Sequence, residues 1–416
     1  MALSNQASSS QSYHVWPIFM LSFVRLFYVS IFDRALLNYL YFVIDIPASI
    51  LGFISSVGAV SYIFGPILGQ VITSKLGIRN SLILSSILTP ILTGTQIFIP
   101  ELWFLILSRI LLGLSLGIFW PNCINLLSKW QQISSVERSN KNFKNFNFSW
   151  NIGFISGLLV GFTWAFIWSD YFAMVISWLL SFLLIPTSLF IKKESSEEIS
   201  LEIIRYQTED PISQVDIKQD MLINTHTPMI IYPILFSWIS IIFLTTSKSI
   251  FIFGYPIILK ISGNPSYLAY LVQGGLQIMQ LIGLTWINSI NIYNRRVASL
   301  LSLIIVSMVA FSFVLLRNIW YITILTAIVG LFLGLIHGTG MKIMLEYGTA
   351  KDSTKYSTIN EVLVGLGFGL TPIIAGYTVE IYLYSIYVFI MIFGIIIFSL
   401  LIYISRNVKS KKTKIL

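Results

Sequence analysis

The stretch "GLSLGIFWPN", residues 113–122, has a counterpart in "GLFLGLIHGT", residues 330–339. Each stretch places two glycines four residues apart in an apolar segment, and a polar interruption follows about one turn later. Small residues at this spacing let the backbones of membrane helices approach closely. The recurrence therefore predicts two related halves, each containing a helix that packs through its glycines.

The composition of the whole chain agrees with a membrane location. The 416 residues are 56% hydrophobic and only 10% charged, with a mean hydropathy of +0.82. A soluble domain carries about 25% charged residues, so this chain lacks the side chains that cover a water-facing surface. Its apolar stretches reach the length of about 20 residues that a membrane-spanning helix needs. We therefore predict an all-α membrane protein with many spans.

Twelve spans are predicted, six in each half. They lie near residues 16–43, 47–72, 80–99, 103–129, 145–167, 172–191, 229–257, 265–290, 297–316, 319–345, 358–379 and 383–404. The first residues lack the basic region of a cleavable signal peptide, so we expect the first span to serve as its own anchor. The single cysteine, Cys123, excludes an internal disulfide.

The polar segments between and around the spans divide the chain into five parts. We predict an N-terminal tail (1–15), an N-terminal six-helix bundle (16–191), a linker (192–228), a C-terminal six-helix bundle (229–404) and a basic tail (405–416). Lysine and arginine concentrate in the tails, in the linker and in every second loop, which predicts that these parts and both termini are cytoplasmic. The net charge of +9 then reflects topology and contact with the lipid surface, and no nucleic-acid partner is expected.

The loop "SKLGIRNSL", residues 74–82, resembles the signature loop of the major facilitator superfamily. Gly77 and Arg79 match the glycine and the basic residue of that loop, whereas Ser74 replaces its aspartate. The resemblance covers nearly the whole chain and implies two pseudo-symmetric six-helix bundles that transport by alternating access. It further implies that gating loops contain Lys75, Gly77, Arg79, Arg295 and Arg296.

Two branches of this superfamily share further residues with the chain. Anion:cation symporters are similar in the Asp33-Arg34 pair and in Arg109, Gly113, Pro121, Trp130, Glu137 and Arg138. Organophosphate:phosphate antiporters are similar in Trp120-Pro121, Cys123, Trp150-Asn151, Lys248, Pro256, Lys260, Leu345-Glu346 and the "GYTV" motif at Gly376. The chain departs from the first branch at Leu116, where symporters carry a glutamate, and from the second at Phe154, where antiporters carry a histidine.

Several polar residues fall inside the predicted spans, where an ionised side chain costs roughly 2.5–3.5 kcal/mol. Helical spacing places Arg34 on one face with Asn38 and Tyr41, and it places Gln273, Gln277 and Gln280 on one face of the eighth span. We expect a substrate path lined by Arg34, Asn38, Tyr41, Trp120, Asn122, Asn125, Asn151, Lys248, Gln273, Gln277 and His337. Alternatives are an interfacial anchor for Arg34, a snorkelling Lys248, glutamines that bond between helices, and a neutral His337.

Three other residues are candidates for coupling: Asp33, Arg109 and Glu361. Arg109 has an alternative role as the ion-pair partner of Asp33, and Glu361 has one as a gate residue. Pro121 removes a backbone donor from the fourth span, so we expect the helix to loosen there and Asn122 and Asn125 to meet water or ligand.

These features predict a secondary active transporter, monomeric and in the plasma membrane, which moves an organic anion such as a carboxylate or an organophosphate. Its partners would be this small-molecule substrate, the lipid bilayer, and a co-transported proton or an exchanged anion. The alternatives are a proton-coupled drug or cation exporter centred on Asp33 and a non-transporting membrane sensor. The sequence contains no His-Glu-x-x-His helix, P-loop or Gly-x-Ser-x-Gly turn, so no enzyme activity, metal or cofactor is predicted.

Overall fold

The computed structural model describes residues 15–99, 101–132, 136–192, 232–316, 318–350 and 353–406. All regular secondary structure in these ranges is helical. Most of the predicted N-terminal tail, linker and C-terminal tail lies outside the described residues, so their cytoplasmic placement stays a prediction.

The N-terminal half consists of six described α-helices. They are α1 (Trp16–Asn38), α2 (Ala48–Phe98), α3 (Leu102–Gln132), α4 (Val136–Ile167), α5 (Asp170–Ser181) and α6 (Leu184–Leu189). A short π-helix, Tyr39–Val43, continues α1. Pro17 lies in the first turn of α1, where a missing backbone donor leaves no intrahelical bond unmade.

The C-terminal half also consists of six described α-helices. They are α7 (Ile234–Ile261), α8 (Leu268–Trp286), α9 (Arg295–Leu315), α10 (Ile319–Ala350), α11 (Ser353–Ile381) and α12 (Ser385–Ile404). Short 3-10 turns, Ile287–Ser289 and Ile292–Asn294, join α8 to α9.

Helix α2 is 51 residues long and contains a break at Gly77. At about 1.5 Å per residue a straight helix of this length would span roughly 77 Å, more than twice the bilayer core. Gly77 has φ +79° and ψ 164°, a backbone conformation that residues with a Cβ rarely adopt. The two parts of α2 on either side of Gly77, residues 48–76 and 78–98, correspond to the predicted second and third spans.

Ten helical segments of the described residues are long and apolar enough to cross a membrane, with α2 counted once and α5 and α6 counted together as Asp170–Leu189. A multi-pass helical membrane protein is therefore confirmed. The count of twelve spans and the orientation of the termini stay predictions.

The glycine pairs in the two repeated stretches lie at equivalent helix contacts. A Cβ built on Gly117 of α3 would lie 2.2 Å from the Cα of Gly65 in α2. A Cβ built on Gly334 of α10 would lie 2.2 Å from the carbonyl oxygen of Gln280 in α8. Both separations are shorter than any real contact, so both positions need glycine. The predicted close packing through glycines is confirmed in both halves.

Each half has its own apolar core, and the two cores meet at one end of the molecule. Tyr270 of the C-terminal half packs in the N-terminal core, and Tyr41, Ala48 and Leu51 of the N-terminal half pack in the C-terminal core. We call this end, which contains residues 44–47, 168–169 and 262–267, the outer end, because the charge distribution predicts that it is extracellular.

Candidate functional site

A buried carboxylate joins the two halves at the outer end. Asp170, the first residue of α5, accepts hydrogen bonds from Asn38 at 3.2 Å, Ser266 at 2.5 Å and Tyr270 at 3.0 Å. Ser266 and Tyr270 belong to the C-terminal half, so the Asp170 carboxylate holds the halves together. Asn38, predicted to bind substrate, lies in this outer contact and also donates to the carbonyl of Ser266.

A second contact at the outer end is ionic. Lys260 near the end of α7 donates to the carboxylate of Asp45 and to the carbonyl of Tyr41. Asp45 has φ +62°, a left-handed conformation that aspartate tolerates better than most residues do. Tyr41, also predicted to bind substrate, therefore lies in the outer contact rather than beside Arg34.

Helices α2 and α11 form a third contact between the halves. It begins at the outer end, where the backbone N–H of Ser49 donates to Glu380 at 2.9 Å. It extends to Tyr62, whose hydroxyl donates to Glu361 at 2.6 Å. The sequence does not single out Tyr62, because its partner Glu361 lies about 300 residues away in the chain. Glu361 lies between the halves, where a gate residue would lie.

The predicted gating loop after the second span contacts its own half. Arg79 donates to the carbonyl of Ile191 at 2.6 Å and to that of Leu189 at 3.4 Å, so it binds the end of α6. Lys75 is exposed. Arg295 and Arg296 lie in the first turn of α9. The contacts of Asp170, Lys260 and Glu380 thus join the halves at the outer end, whereas Arg79 binds within the N-terminal half.

Arg34 lies at the interface between the halves. Its Nε donates to Oε1 of Gln273 at 2.8 Å, and one Nη donates to the carbonyl of Ile252 at 3.2 Å. The side chain is almost fully buried, and its other Nη has no hydrogen-bond partner among the described residues. Both partners of Arg34 are neutral and come from the C-terminal half.

Lys248 occupies a similar position on the opposite wall. Its ammonium donates to Oε1 of Gln277 at 2.6 Å and to Oε1 of Gln280 at 2.7 Å. It also lies 5.9 Å from the ring centroid of Phe154 in the N-terminal half. Among the described residues no carboxylate lies within ion-pair distance of this ammonium.

The α8 glutamine row, Gln273, Gln277 and Gln280, connects these two cations to further predicted residues. Gln277 donates to Oδ1 of Asn151 at 3.1 Å, across the interface between the halves. The amide nitrogen of Gln280 lies 3.3 Å from Nδ1 of His337. The structure therefore brings Arg34, Asn151, Lys248 and His337 together along the glutamine row of α8, and we call this group the central network.

Two of the three fourth-span residues predicted to bind substrate contact their own half in this structure. Helix α3 continues through Pro121 to residue 132 without the expected interruption. Asn122 is buried and donates to the carbonyl of Ile118 at 2.7 Å and to Thr73 of α2 at 2.8 Å. In this conformation Asn122 therefore joins two helices of one half instead of meeting water. Asn125 is exposed, and Trp120 packs edge-on against Phe146 of α4.

Asp33 and Arg109 form an ion pair inside the N-terminal half. The distance from Arg109 Nη1 to Asp33 Oδ1 is 2.6 Å, and 44% of the Asp33 side chain is exposed. Elsewhere in the described ranges, no group of three or more histidine, cysteine, aspartate or glutamate side chains could hold a metal ion.

Two family models match the chain, one in each half. Residues 5–201 match the model for Sugar (and other) transporter, and residues 237–415 match the model for Major Facilitator Superfamily. No curated protein matches the sequence.

Solved transporters share the fold. The nucleoside transporter NupG superposes with a TM-score of 0.67 at 13% identity, over 94% of this chain and 98% of that chain. A POT family transporter in complex with 5-aminolevulinic acid superposes with a TM-score of 0.68 at 14% identity, over 95% and 96% of the two chains. The chain therefore shares its fold with solved transporters, and each of its halves matches a transporter family model, that of the Major Facilitator Superfamily in the C-terminal half.

Proposed function

We propose that the protein is a secondary active transporter that carries a small organic anion, a carboxylate or an organophosphate, by alternating access. The observation that carries this proposal is the charge of the central network. Arg34 and Lys248 enter it from opposite halves, and the partners described for both are amide and carbonyl oxygens. Neutral acceptors satisfy the hydrogen bonds, but among the described residues neither cation forms an ion pair, and an unpaired charge at membrane depth is costly. A bound anion would supply the missing charge.

The spacing of the network suits a small anion. Arg34 bonds Gln273 and Lys248 bonds Gln277, and these glutamines are one helical turn apart, with about 6 Å between their Cβ atoms. One ligand could therefore contact both cations. The guanidinium of Arg34 can donate two parallel hydrogen bonds to a carboxylate or phosphate, and the Lys248 ammonium adds a point charge.

The contacts at the outer end support alternating access to this network. Asp170, Lys260 and Glu380 hold the outer end closed. Opening would separate these groups and expose the network to the other side. In that state we expect the loops that contain Lys75–Arg79 and Arg295–Arg296 to approach each other. We place the protein in the plasma membrane as a monomer.

A proton-coupled exporter of cations or drugs is the second candidate. The observation in its favour is the carboxylate of Asp33, which is partly exposed. Arg109 neutralises this carboxylate, however, so a cationic substrate would have to displace an existing ion pair. The two cations of the central network, which form no ion pair among the described residues, favour the anion.

A thermal-shift experiment on the purified protein separates the two candidates. The panel contains succinate and glycerol 3-phosphate as anionic ligands, 5-aminolevulinic acid as a zwitterion, tetraphenylphosphonium as a cation, and uridine and glucose as neutral ligands. A ligand that binds only the folded protein raises its melting temperature. We expect stabilisation by at least one anion in the wild type, little in Lys248→Gln, and full stabilisation in the exposed-lysine control Lys144→Gln. Stabilisation by tetraphenylphosphonium alone would support the exporter.

A further inference from the structure

The hydrogen bonds around Gln280 determine the proton position on His337. An ammonium group only donates, so Gln280 must turn its oxygen toward Lys248, at 2.7 Å. Its NH2 group then faces Nδ1 of His337 at 3.3 Å. This contact requires Nδ1 to accept, so in this arrangement His337 is neutral and carries its proton on Nε2.

Protonation of His337 would disturb this chain of bonds. Nδ1 would become a donor and would face the NH2 group of Gln280, which is also a donor. The amide can restore the bond by rotating through a half turn, which presents its oxygen to His337. The same rotation turns its NH2 group toward Lys248, so the ammonium loses one of its two amide acceptors and an N–H becomes available.

We propose that His337, acting through Gln280, controls anion binding at Lys248, so that a proton on His337 and an anion on Lys248 strengthen each other's binding. This inference rests on the proposed function. The released N–H of Lys248 needs a new acceptor, and the second positive charge raises the attraction for an anion. By thermodynamic linkage, the bound anion favours the protonated histidine to the same extent. His337 is thus a positioning residue that bonds Gln280.

The charged residues on the helices that pack around His337 can be named one by one. Helix α7 contributes Lys248, and α8 contributes the neutral Gln280. Of the other helices packed on α10, α9 carries Arg295 and Arg296 in its first turn, and α11 carries Glu361, which accepts from Tyr62. On α10 itself, Lys342 follows five residues later, about 7.5 Å along the axis and on another face. Lys248 is therefore the charged group through which a proton on His337 would act.

A first experiment needs no ligand. The chain has three histidines, so a His14→Asn/His226→Asn background, purified with a tag that lacks histidine, leaves His337 alone. The ring 15N chemical shifts at about pH 8, well above the usual titration range of histidine, report which nitrogen carries the proton. We expect the Nε2–H tautomer, and a mixture of tautomers after Gln280→Leu. Protonated Nδ1 in the parent protein would overturn the inference.

A second experiment measures the linkage with succinate as the probe. Its dissociation constant is determined at about pH 7.5 and pH 6.0, on either side of the usual histidine pKa, in the His337-only protein and in the same protein with His337→Asn. Asparagine offers an acceptor near the position of Nδ1 but does not titrate. We expect the affinity to rise about fivefold or more at the lower pH in the parent. The variant should change by less than twofold, and any change in the charge of succinate affects both proteins equally.

The outcomes separate this inference from the proposed function. Equal pH dependence in the two proteins, with succinate still bound, would overturn the role of His337 and leave the anion transporter intact. Glycerol 3-phosphate replaces succinate if only that anion stabilises the protein. Failure of every anion in the panel to bind would overturn the proposed function, and the control by His337 with it.

Discussion

Arg109 and Lys248 are both cations inside the membrane part of the protein, but their surroundings differ. Arg109 pairs with Asp33, a carboxylate of its own half, at 2.6 Å. Lys248 bonds two glutamine oxygens and faces Phe154 of the other half. An ion pair within one half can persist while the halves move, so the Arg109 pair suits a structural role. A cation without a carboxylate, placed where the halves meet, suits a ligand.

The comparison predicts its largest effect when the central charges are removed. Lys248→Gln or Arg34→Gln keeps a hydrogen-bonding side chain but removes the charge. A hydrogen bond to a charged group contributes about 1.5–3 kcal/mol, so the affinity for the anion found in the panel should fall roughly 10- to 100-fold. Isothermal titration calorimetry measures the change.

The melting temperature of both variants should stay near that of the wild type, because no carboxylate loses a partner. Lys144→Gln, an exposed lysine exchanged in the same way, is the control and should bind as the wild type does. Wild-type affinity in both central variants would remove the distinction between Lys248 and Arg109.

Replacing arginine by lysine at position 34, and lysine by arginine at position 248, tests whether the two cations bind the anion in different ways. Arg34→Lys should lower the affinity about tenfold, because lysine cannot form the two parallel bonds that a guanidinium makes with a carboxylate or phosphate. Lys248→Arg should be milder, because arginine keeps the charge and the donors. The same calorimetric titration compares the two variants. An equal loss of anion affinity in both variants would mean that the anion binds the two cations in the same way.

The outer end should open when its carboxylate is neutralised. Asp170→Asn weakens the hydrogen bonds from Ser266 and Tyr270. Because a hydrogen bond to a charged group contributes about 1.5 kcal/mol or more, its loss should raise the ratio of open to closed molecules about tenfold. Spin labels at Trp168→Cys and Ser262→Cys, in a Cys123→Ala background, report the distance across the outer end. We expect a larger fraction at long distance in Asp170→Asn than in the control Thr163→Ala. Identical distance distributions would exclude Asp170 as a closing contact.

The smallest effect on binding is expected at the Arg109 pair. Arg109→Gln leaves the Asp33 carboxylate without its partner, so the melting temperature should fall. The double variant Arg109→Gln/Asp33→Asn should recover much of it, because no unpaired charge remains. Anion affinity should change less than threefold in both, since a structural pair contributes little to binding. A loss of affinity as large as that in Lys248→Gln would give Arg109 a binding role.

Much of the fold and the centre of the site could be predicted from local patterns. The glycine pairs at 113–117 and 330–334 predicted the helix contacts, because a four-residue spacing places both glycines on one helix face. The same rule placed Gln273, Gln277 and Gln280 on one face of α8, where the structure has them bonded to other residues of the network.

The remaining features depend on contacts between distant parts of the chain. Trp120 and Asn122 differ by two positions, or about 200° around a helix, so in this conformation they face different neighbours, Phe146 of α4 and Thr73 of α2. Asp170 was not selected, because an acidic residue at the start of a helix is common and its partners Ser266 and Tyr270 lie about a hundred residues away. The signal in the sequence that points to Asp170 is the cost of an ionisable side chain near membrane depth.

The most direct test of anion binding is a cryo-electron microscopy map of the protein with the stabilising anion from the panel. The proposal predicts density for the ligand between the two halves, with its carboxylate or phosphate within about 3 Å of both Lys248 Nζ and the guanidinium of Arg34. The contacts of the glutamine row should rearrange around it. Density for the anion at Arg109 or elsewhere, with Arg34 and Lys248 still bonded only to the glutamines, would contradict the proposal.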